Sequence, residues 1–379
     1  MPQESLTKLS LGAILCLALA PVVAAQPATQ HPDRNEAVAQ RLAAIPNLNA
    51  RLAALEKSLD AAKDKTSLSA TTARYTLEVI KDALANPKPY EARRPGPRAA
   101  ATPGAAPAPA PVPPPASAAP SKDLSAYVSP LSPLAVDLAA ELKRAEQIAA
   151  AIKLGKDPMA GITGEVHLAY RSSLDGVLMP YRIYVPTNYT AKKSWPLIVF
   201  LHGAVCDENT FMNSDVLQPL AERLGYLIVS VNGRGPQSNY TKESGAQQDI
   251  FDDMALMQKY YNIDARHIFL TGHSMGGAGT WNVGLEFRDK FAALAPMAGA
   301  RSVVPELDTK LSTGKKIPIL ITCGGKDTGN PCDQAVAAYE KVKAAGYPTK
   351  VVEYPVDEHN PVFIDSPPEI FAWFDRYNK

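Results

Sequence analysis

Residues 267–277, HIFLTGHSMGG, join an apolar run, His267-Ile268-Phe269-Leu270-Thr271, to the turn Gly272-His273-Ser274-Met275-Gly276-Gly277, and a helix-prone stretch follows. The run reads as a strand and the turn as a sharp elbow into a helix, which leaves Ser274 exposed at its tip. Such an elbow strains the serine backbone, and a Cβ two residues away on either side would strike a neighbouring strand or helix. Glycine at 272 and 276 meets that demand. Gly-x-Ser-x-Gly alone matches many glycine-rich turns; the strand before it and the helix after it mark this serine for nucleophilic chemistry.

Outward from the elbow, the chain from about residue 163 alternates strand and helix, which signals an α/β domain. Strands are predicted at 166–170, 181–185, 197–201, 227–231, 268–271, 292–296, 319–322 and 350–354. Four of them are continuous apolar runs, as buried parallel strands should be. Helices are predicted at 216–224, 249–261, 275–287, 334–344 and 368–377. This pattern predicts one open, mostly parallel sheet of eight strands with helices on both faces, over residues 163–379.

A serine hydroxyl needs a base within hydrogen-bond reach and an acid to orient that base. The α/β-hydrolase chain order is Ser, then Asp or Glu, then His. Of the six histidines, only His359 follows Ser274, in the turn Val356-Asp357-Glu358-His359-Asn360 after the last predicted strand. The acid should leave the end of a strand between the two. Asp327 does so, in Cys323-Gly324-Gly325-Lys326-Asp327. Asp333 is the runner-up and reads better as the N-cap of the helix beginning at Gln334. Asp357 and Glu358 are too close to His359 in sequence to orient its ring.

Acyl transfer also needs two donors aimed at the developing oxyanion. Met275 N–H, next to the nucleophile, is one. The turn Leu201-His202-Gly203-Ala204 should supply the other through Ala204 N–H, with Val205 the neighbouring alternative. His202 is expected to brace that turn, His273 to be a packing or entrance residue, and His167 and His267 to be surface or satisfied core groups. No His or Cys spacing suits a metal, and the glycines at 233, 235 and 245 do not sit at a phosphate-binding strand-to-helix junction, so no cofactor is expected.

Lys plus Arg (39) nearly balance Asp plus Glu (38), which gives no field for nucleic acid and excludes it as a main partner. Residues 1–25 end in an apolar run, 9–25, with Val23 and Ala25 placed for small-residue cleavage. This reads as a signal peptide, too short for a spanning anchor, with a secreted or periplasmic location and no transmembrane anchor after processing. Residues 26–92 hold two amphipathic helices, 36–59 and 68–84, suited to packing, tethering or self-association. Residues 93–121 form a Pro/Ala-rich linker, and 122–162 a connecting segment with a helix at 134–154. With Cys16 in the leader, Cys206, Cys323 and Cys332 remain: a bridge between Cys323 and Cys332, or three free thiols.

The stretch DARHIFLTGHSMGGAGTW (264–281), with Leu201-His202-Gly203 upstream and FAALAPMAG (291–299) downstream, resembles secreted α/β-hydrolases of the feruloyl and acetylxylan esterase group. It is also similar to polyhydroxybutyrate-depolymerase-related esterases and to hydrolases of the prolyl-oligopeptidase family. The resemblance spans about 163–379 and implies the α/β-hydrolase fold, with nucleophile, acid and base roles on Ser274, Asp327 and His359. Peptide-cleaving members usually carry a large N-terminal β-propeller; helices and a Pro/Ala linker stand there instead, which argues against peptide cleavage. The expected function is a secreted carboxylic ester hydrolase working through an acyl-enzyme on feruloyl, acetyl or similar esters, with polymer-linked substrates included. Only a short connection fits between 300 and 317, so the site should be open. The alternatives are a serine peptidase or amidase, and a non-catalytic envelope or carbohydrate-binding protein.

Overall fold

The structure is a computed structural model and describes residues 34–85, 137–212 and 215–379. The expected leader, 1–25, and the Pro/Ala stretch, 93–121, lie outside the described residues. Four helices come first: α1 (Arg34–Ala43), α2 (Leu48–Asp60), α3 (Leu68–Ala85) and α4 (Leu138–Lys153). The single helix expected over 36–59 is two. Pro46 cannot donate a helical hydrogen bond, and Asn47 turns left-handed at φ 54° to start α2.

The eight expected strands all form: β1 (Gly164–Arg171), β2 (Leu178–Val185), β3 (Trp195–Leu201), β4 (Leu227–Val231), β5 (Ile263–His273), β6 (Ala293–Met297), β7 (Ile319–Gly324) and β8 (Thr349–Tyr354). They make one sheet in the order β1-β2-β4-β3-β5-β6-β7-β8. β2 runs antiparallel to both β1 and β4, and all other pairs are parallel. β5 starts earlier than its apolar run indicates. Its first residues mix apolar Ile263 and Ala265 with polar Asp264, Arg266 and His267, and meet β3 only at Trp195 and Ile263, across a register shift.

The later helices are α5 (Asn209–Met212) and α6 (Leu217–Leu224) between β3 and β4, α7 (Ala246–Tyr260) before β5, α8 (Met275–Glu286) after it, α9 (Leu307–Leu311) between β6 and β7, α10 (Cys332–Ala344) between β7 and β8, and α11 (Pro361–Asp365) and α12 (Pro367–Asp375) at the end. Apolar clusters cover both faces of the sheet. Leu197, Val199, Leu270 and Leu294 join one, and Ile198, Phe200, Phe269 and Leu320 join the other. That two-sided burial is why these strands are uninterrupted apolar runs.

The N-terminal helices belong to the same core. Leu52, Leu55, Leu77, Ile80 and Leu142 are buried in the cluster that holds Leu168 and Tyr181 of the sheet. α3 also closes the open edge of β1: Thr71 Oγ1 donates to the Ala169 carbonyl at 2.6 Å, and the Ala169 N–H donates to Thr72 Oγ1 at 3.0 Å. Two hydroxyls thereby satisfy edge groups that would otherwise invite another strand. The helices α3 and α4 pack on each other.

Cys323, near the end of β7, and Cys332, the first residue of α10, form a disulfide with Cα atoms 5.2 Å apart. Cys206 is buried and takes no part in a disulfide. The bridge closes the loop 324–331, and chain-entropy arguments give a loop of this length about 2–3 kcal/mol of stabilisation. Denaturant unfolding of the Cys323→Ser/Cys332→Ser protein is expected to show a loss of that size.

α7 buries Asp253 with neither carboxylate oxygen hydrogen-bonded among the described residues. Burial, then the neighbouring carboxylates Asp249, Asp252 and Glu208, push its carboxyl well above the usual range. A carboxyl raised in the folded state ionises first in the unfolded chain. Stability is therefore lost as pH climbs from about 4, by up to ~1.4 kcal/mol per pH unit, until the folded carboxyl ionises. Asp253→Asn removes that linkage, so its stability relative to the parent should increase between pH 4 and 7 in melts measured side by side.

Candidate active site

The elbow at the end of β5 places Ser274 at φ 57°, ψ −113°, outside the regions a non-glycine residue ordinarily takes. Its own N–H donates to the Met297 carbonyl of β6 at 2.9 Å. A Cβ on Gly272 would stand 2.5 Å from the Gly276 carbonyl oxygen, and one on Gly276 would overlap the Leu201 carbonyl at the end of β3. Glycine is thus required at both places by backbone packed against backbone.

His359 lies in the turn after β8, and its Nε2 is 2.8 Å from Ser274 Oγ, within hydrogen-bond reach of the hydroxyl. On the other side of the ring, Nδ1–H donates to Asp327 Oδ2 at 2.6 Å. Asp327 leaves the end of β7 and is buried. Its Oδ1 accepts the N–H groups of Gly329 and Asn330, each at 2.8 Å. Burial opposes its charge, but the hydrogen bonds from His359 and from these two N–H groups prevail and hold the carboxyl below its ordinary value. Asp327 is therefore held ionised beside the ring.

The acid and base turns also grip each other. Lys326 N–H donates to the Asp357 carbonyl at 2.8 Å, and a Cβ on Gly324 would press to 2.6 Å from that oxygen. Asp333 is neither the orienting acid nor the N-cap. α10 starts at Cys332, with Pro331 in the cap position, and Asp333 sits in the first turn.

Of the two expected oxyanion donors, Met275 is the first residue of α8, where helix N–H groups lack intrahelical partners. Among the described residues the Ala204 N–H donates to no backbone carbonyl. Val205 N–H, the alternative, donates to the Pro236 carbonyl at 2.9 Å. Ala204 is exposed, and with Ser274 and His359 it lines a cavity of about 260 Å³ whose apolar side is formed by Phe211 and Phe363.

The remaining histidines divide by environment. His202 is fully buried, with Nδ1 2.8 Å from the Gly203 carbonyl and Nε2 2.8 Å from the Asn232 carbonyl, bracing the turn as expected. His273 lines the cavity with its ring 4.7 Å from that of His359, and its Nε2–H donates to the His359 carbonyl at 2.8 Å. Burial and the neighbouring His359 push it down to about 3, so it stays uncharged. His167 sits between Tyr75 of α3 and Glu208, and His267 pairs with Asp264. Sequence reading did not single out Glu208 or Asn232, which lie buried behind the 203–206 turn. No local motif marks them, and only the fold joins the ends of β3 and β4. No group of three or more His, Cys, Asp or Glu residues suited to a metal ion occurs among the described residues.

Residues 237–371, which include Ser274, Asp327 and His359, match the family model for the dienelactone hydrolase family. The bifunctional acetylxylan esterase/xylanase of Neocallimastix patriciarum is 30% identical over 149 residues, 38% of this chain and 21% of that protein. A Bacillus subtilis protein named as an uncharacterized peptidase is 24% identical over 250 residues, 54% of this chain and 38% of that protein. The chain thus spans well under half the length of these two curated relatives. A solved ferulic acid esterase superposes with a TM-score of 0.50 at 18% identity, covering 56% of this chain and 98% of that one. The chain adopts the α/β-hydrolase fold, and its residues 237–371 are similar to the dienelactone hydrolase family.

Proposed function

We propose that this protein is a secreted or periplasmic serine carboxylic ester hydrolase that works through an acyl-enzyme on feruloyl, acetyl or similar esters. The observation that carries the reading is the unbroken line from Ser274 Oγ through the His359 ring to Asp327 at the wall of a cavity. In this reaction Ser274 Oγ attacks the ester carbonyl carbon while His359 Nε2 takes its proton. The oxygen that gains charge is met by the N–H groups of Met275 and Ala204. His359 then returns the proton to the departing alcohol, and water repeats the sequence to free the acid. Asp327 keeps the tautomer that leaves Nε2 free to accept.

The acyl group belongs in the cavity of about 260 Å³, against Phe211 and Phe363. The connection between β6 and β7 holds only a 3-10 turn and the five-residue α9, which supports an open site able to admit polymer-linked esters. The disulfide supports an oxidising compartment. Likeness to a protein named as a peptidase favours a second reading, amide cleavage by the same residues.

Initial rates on methyl ferulate, short p-nitrophenyl esters and aminoacyl-nitroanilides separate the two, and amide cleavage without ester cleavage would sink the first. Ser274→Ala should lower kcat by about a million-fold. Asp327→Asn should lower it about 10⁴-fold, because the amide fixes the wrong His359 tautomer.

On the acid side kcat/KM should fall as His359 takes up a proton, since a protonated Nε2 cannot accept from Ser274. A profile flat down to about pH 5 contradicts that role. The lowered Asp327 carboxyl adds stability above its unfolded-state pKa that is lost as pH falls, so the profile is to be read only where the protein stays folded.

A further inference from the structure

The turn carrying Ala204 is exposed at its tip and strained: Ala204 and Val205 face solvent, and Val205 is left-handed at φ 61°. A Cβ on Gly203 would lie 3.5 Å from Ser274 Cβ, so small shifts of this turn are felt at the nucleophile. The contacts that fix the turn come from beneath it.

Val205 N–H reaches Pro236 in the loop after β4, and the His202 ring joins the Gly203 carbonyl to the Asn232 carbonyl at the start of that loop. The Asn232 side chain ties the loop down twice. Its Oδ1 accepts the Gly235 N–H at 2.9 Å, and its Nδ2 donates to Glu208 Oε2 at 2.7 Å. Glu208 Oε1 faces His167 Nε2 and accepts from Asn209 Nδ2, each at 3.1 Å. Glu208, Asn209 and Asn232 are each 1% exposed. Despite its burial, hydrogen bonds and charge from His167, with the Asn232 amide, hold the Glu208 carboxyl below its ordinary value.

We propose that Glu208 and Asn232 are positioning residues for the oxyanion turn: the buried carboxylate sets the orientation of the Asn232 amide, which holds the 232–236 loop and His202, and through them the Ala204 N–H, in place beside Ser274. This rests on the ester-hydrolase reading of the site. A carboxylate is the group that fits, because donors approach both of its oxygens. The donor and acceptor sense then runs one way: Gly235 N–H to Asn232 Oδ1, and Asn232 Nδ2 to Glu208.

That directionality supplies the test. Glu208→Gln puts an NH₂ where an acceptor is needed, so either Asn232 turns its own NH₂ on Gly235 N–H or a donor faces His167 and Asn209. Asn232→Asp sets two carboxylates against each other. In the double variant the new amide at position 208 donates its NH₂ to the new carboxylate at position 232, whose second oxygen accepts Gly235 N–H, so the bonds to Gly235 and between positions 208 and 232 are restored.

The readouts are kcat and KM on p-nitrophenyl acetate, thermal melts, and the second-order rate of labelling by a fluorophosphonate. In the labelling step Ser274 Oγ bonds to phosphorus, fluoride leaves, His359 takes the proton, and the phosphoryl oxygen occupies the oxyanion position. Each single variant should lower kcat and the labelling rate by about 10- to 100-fold with KM within twofold, less than the loss of a whole oxyanion donor. The double variant should recover most of both rates.

Full kcat in a folded single variant, a change confined to KM, or no recovery in the double variant would overturn the proposal. If Asn232→Asp does not fold, Glu208→Gln and the double variant decide it. Wild-type protein inert to every ester would sink the esterase reading, while the labelling rates would still judge the positioning.

Discussion

Ser274 is kept in a backbone conformation that costs an ordinary residue about 1–3 kcal/mol, and it stays there because strands on both sides of β5 hold it. Gly276 packs on the Leu201 carbonyl of β3, and Gly277 packs on the Met297 carbonyl of β6, which also accepts the Ser274 N–H. The elbow therefore needs a strand with parallel neighbours on both sides, ending at the same level. An edge strand would leave one of those carbonyls absent and the strained turn free to relax. The sheet order, with β5 between β3 and β6, meets that requirement of the elbow.

From that fixed serine, the other groups are placed by strands that end at the same edge. β7 and β8 are parallel neighbours in register from Ile319 with Thr349 to Gly324 with Tyr354, so the turns after them emerge side by side. Asp327 comes from one and His359 from the other. Gly324 allows the two turns to touch, and the Cys323–Cys332 bridge ties the acid turn to the helix that follows. The ring of His359 is thus held by covalent and hydrogen-bonded closure of short loops, which keeps the Ser274 contact at 2.8 Å without a long, mobile arm.

The eight strands were legible because burial on both faces removes polar interruptions, and a run such as Leu227–Val231 has no other reading in an alternating chain. The elbow was legible because backbone close-packing admits only glycine, and chain order left His359 without a rival. Three kinds of feature were hidden. The break at Pro46 lies inside a pattern whose periodicity continues across it. The docking of α3 depends on two threonine hydroxyls meeting one edge residue nearly a hundred positions away, which no local pattern records. Glu208 and Asn232 look like ordinary loop polar residues until the sheet order brings β3 and β4 together, when they become buried partners. Sequence patterns report local geometry and which faces are covered; polar groups satisfied across the fold need the topology.

The second imidazole of the site shows how burial selects charge. The His273 and His359 rings lie tilted against each other with centres 4.7 Å apart, and in the proposed acyl transfer attack by Ser274 would place a proton on His359. A cation already present at His273 would repel that new charge and would raise the barrier. Burial holds His273 uncharged, and its Nε2–H is taken up by the His359 carbonyl, so it steadies the turn carrying the base without opposing the charge that forms there. A carboxylate at this position would attract the imidazolium but would compete with Asp327 for its N–H, pulling the ring from the tautomer that Ser274 needs. A neutral, singly donating ring beside the nucleophile avoids both faults, which accounts physically for a buried histidine immediately before the serine.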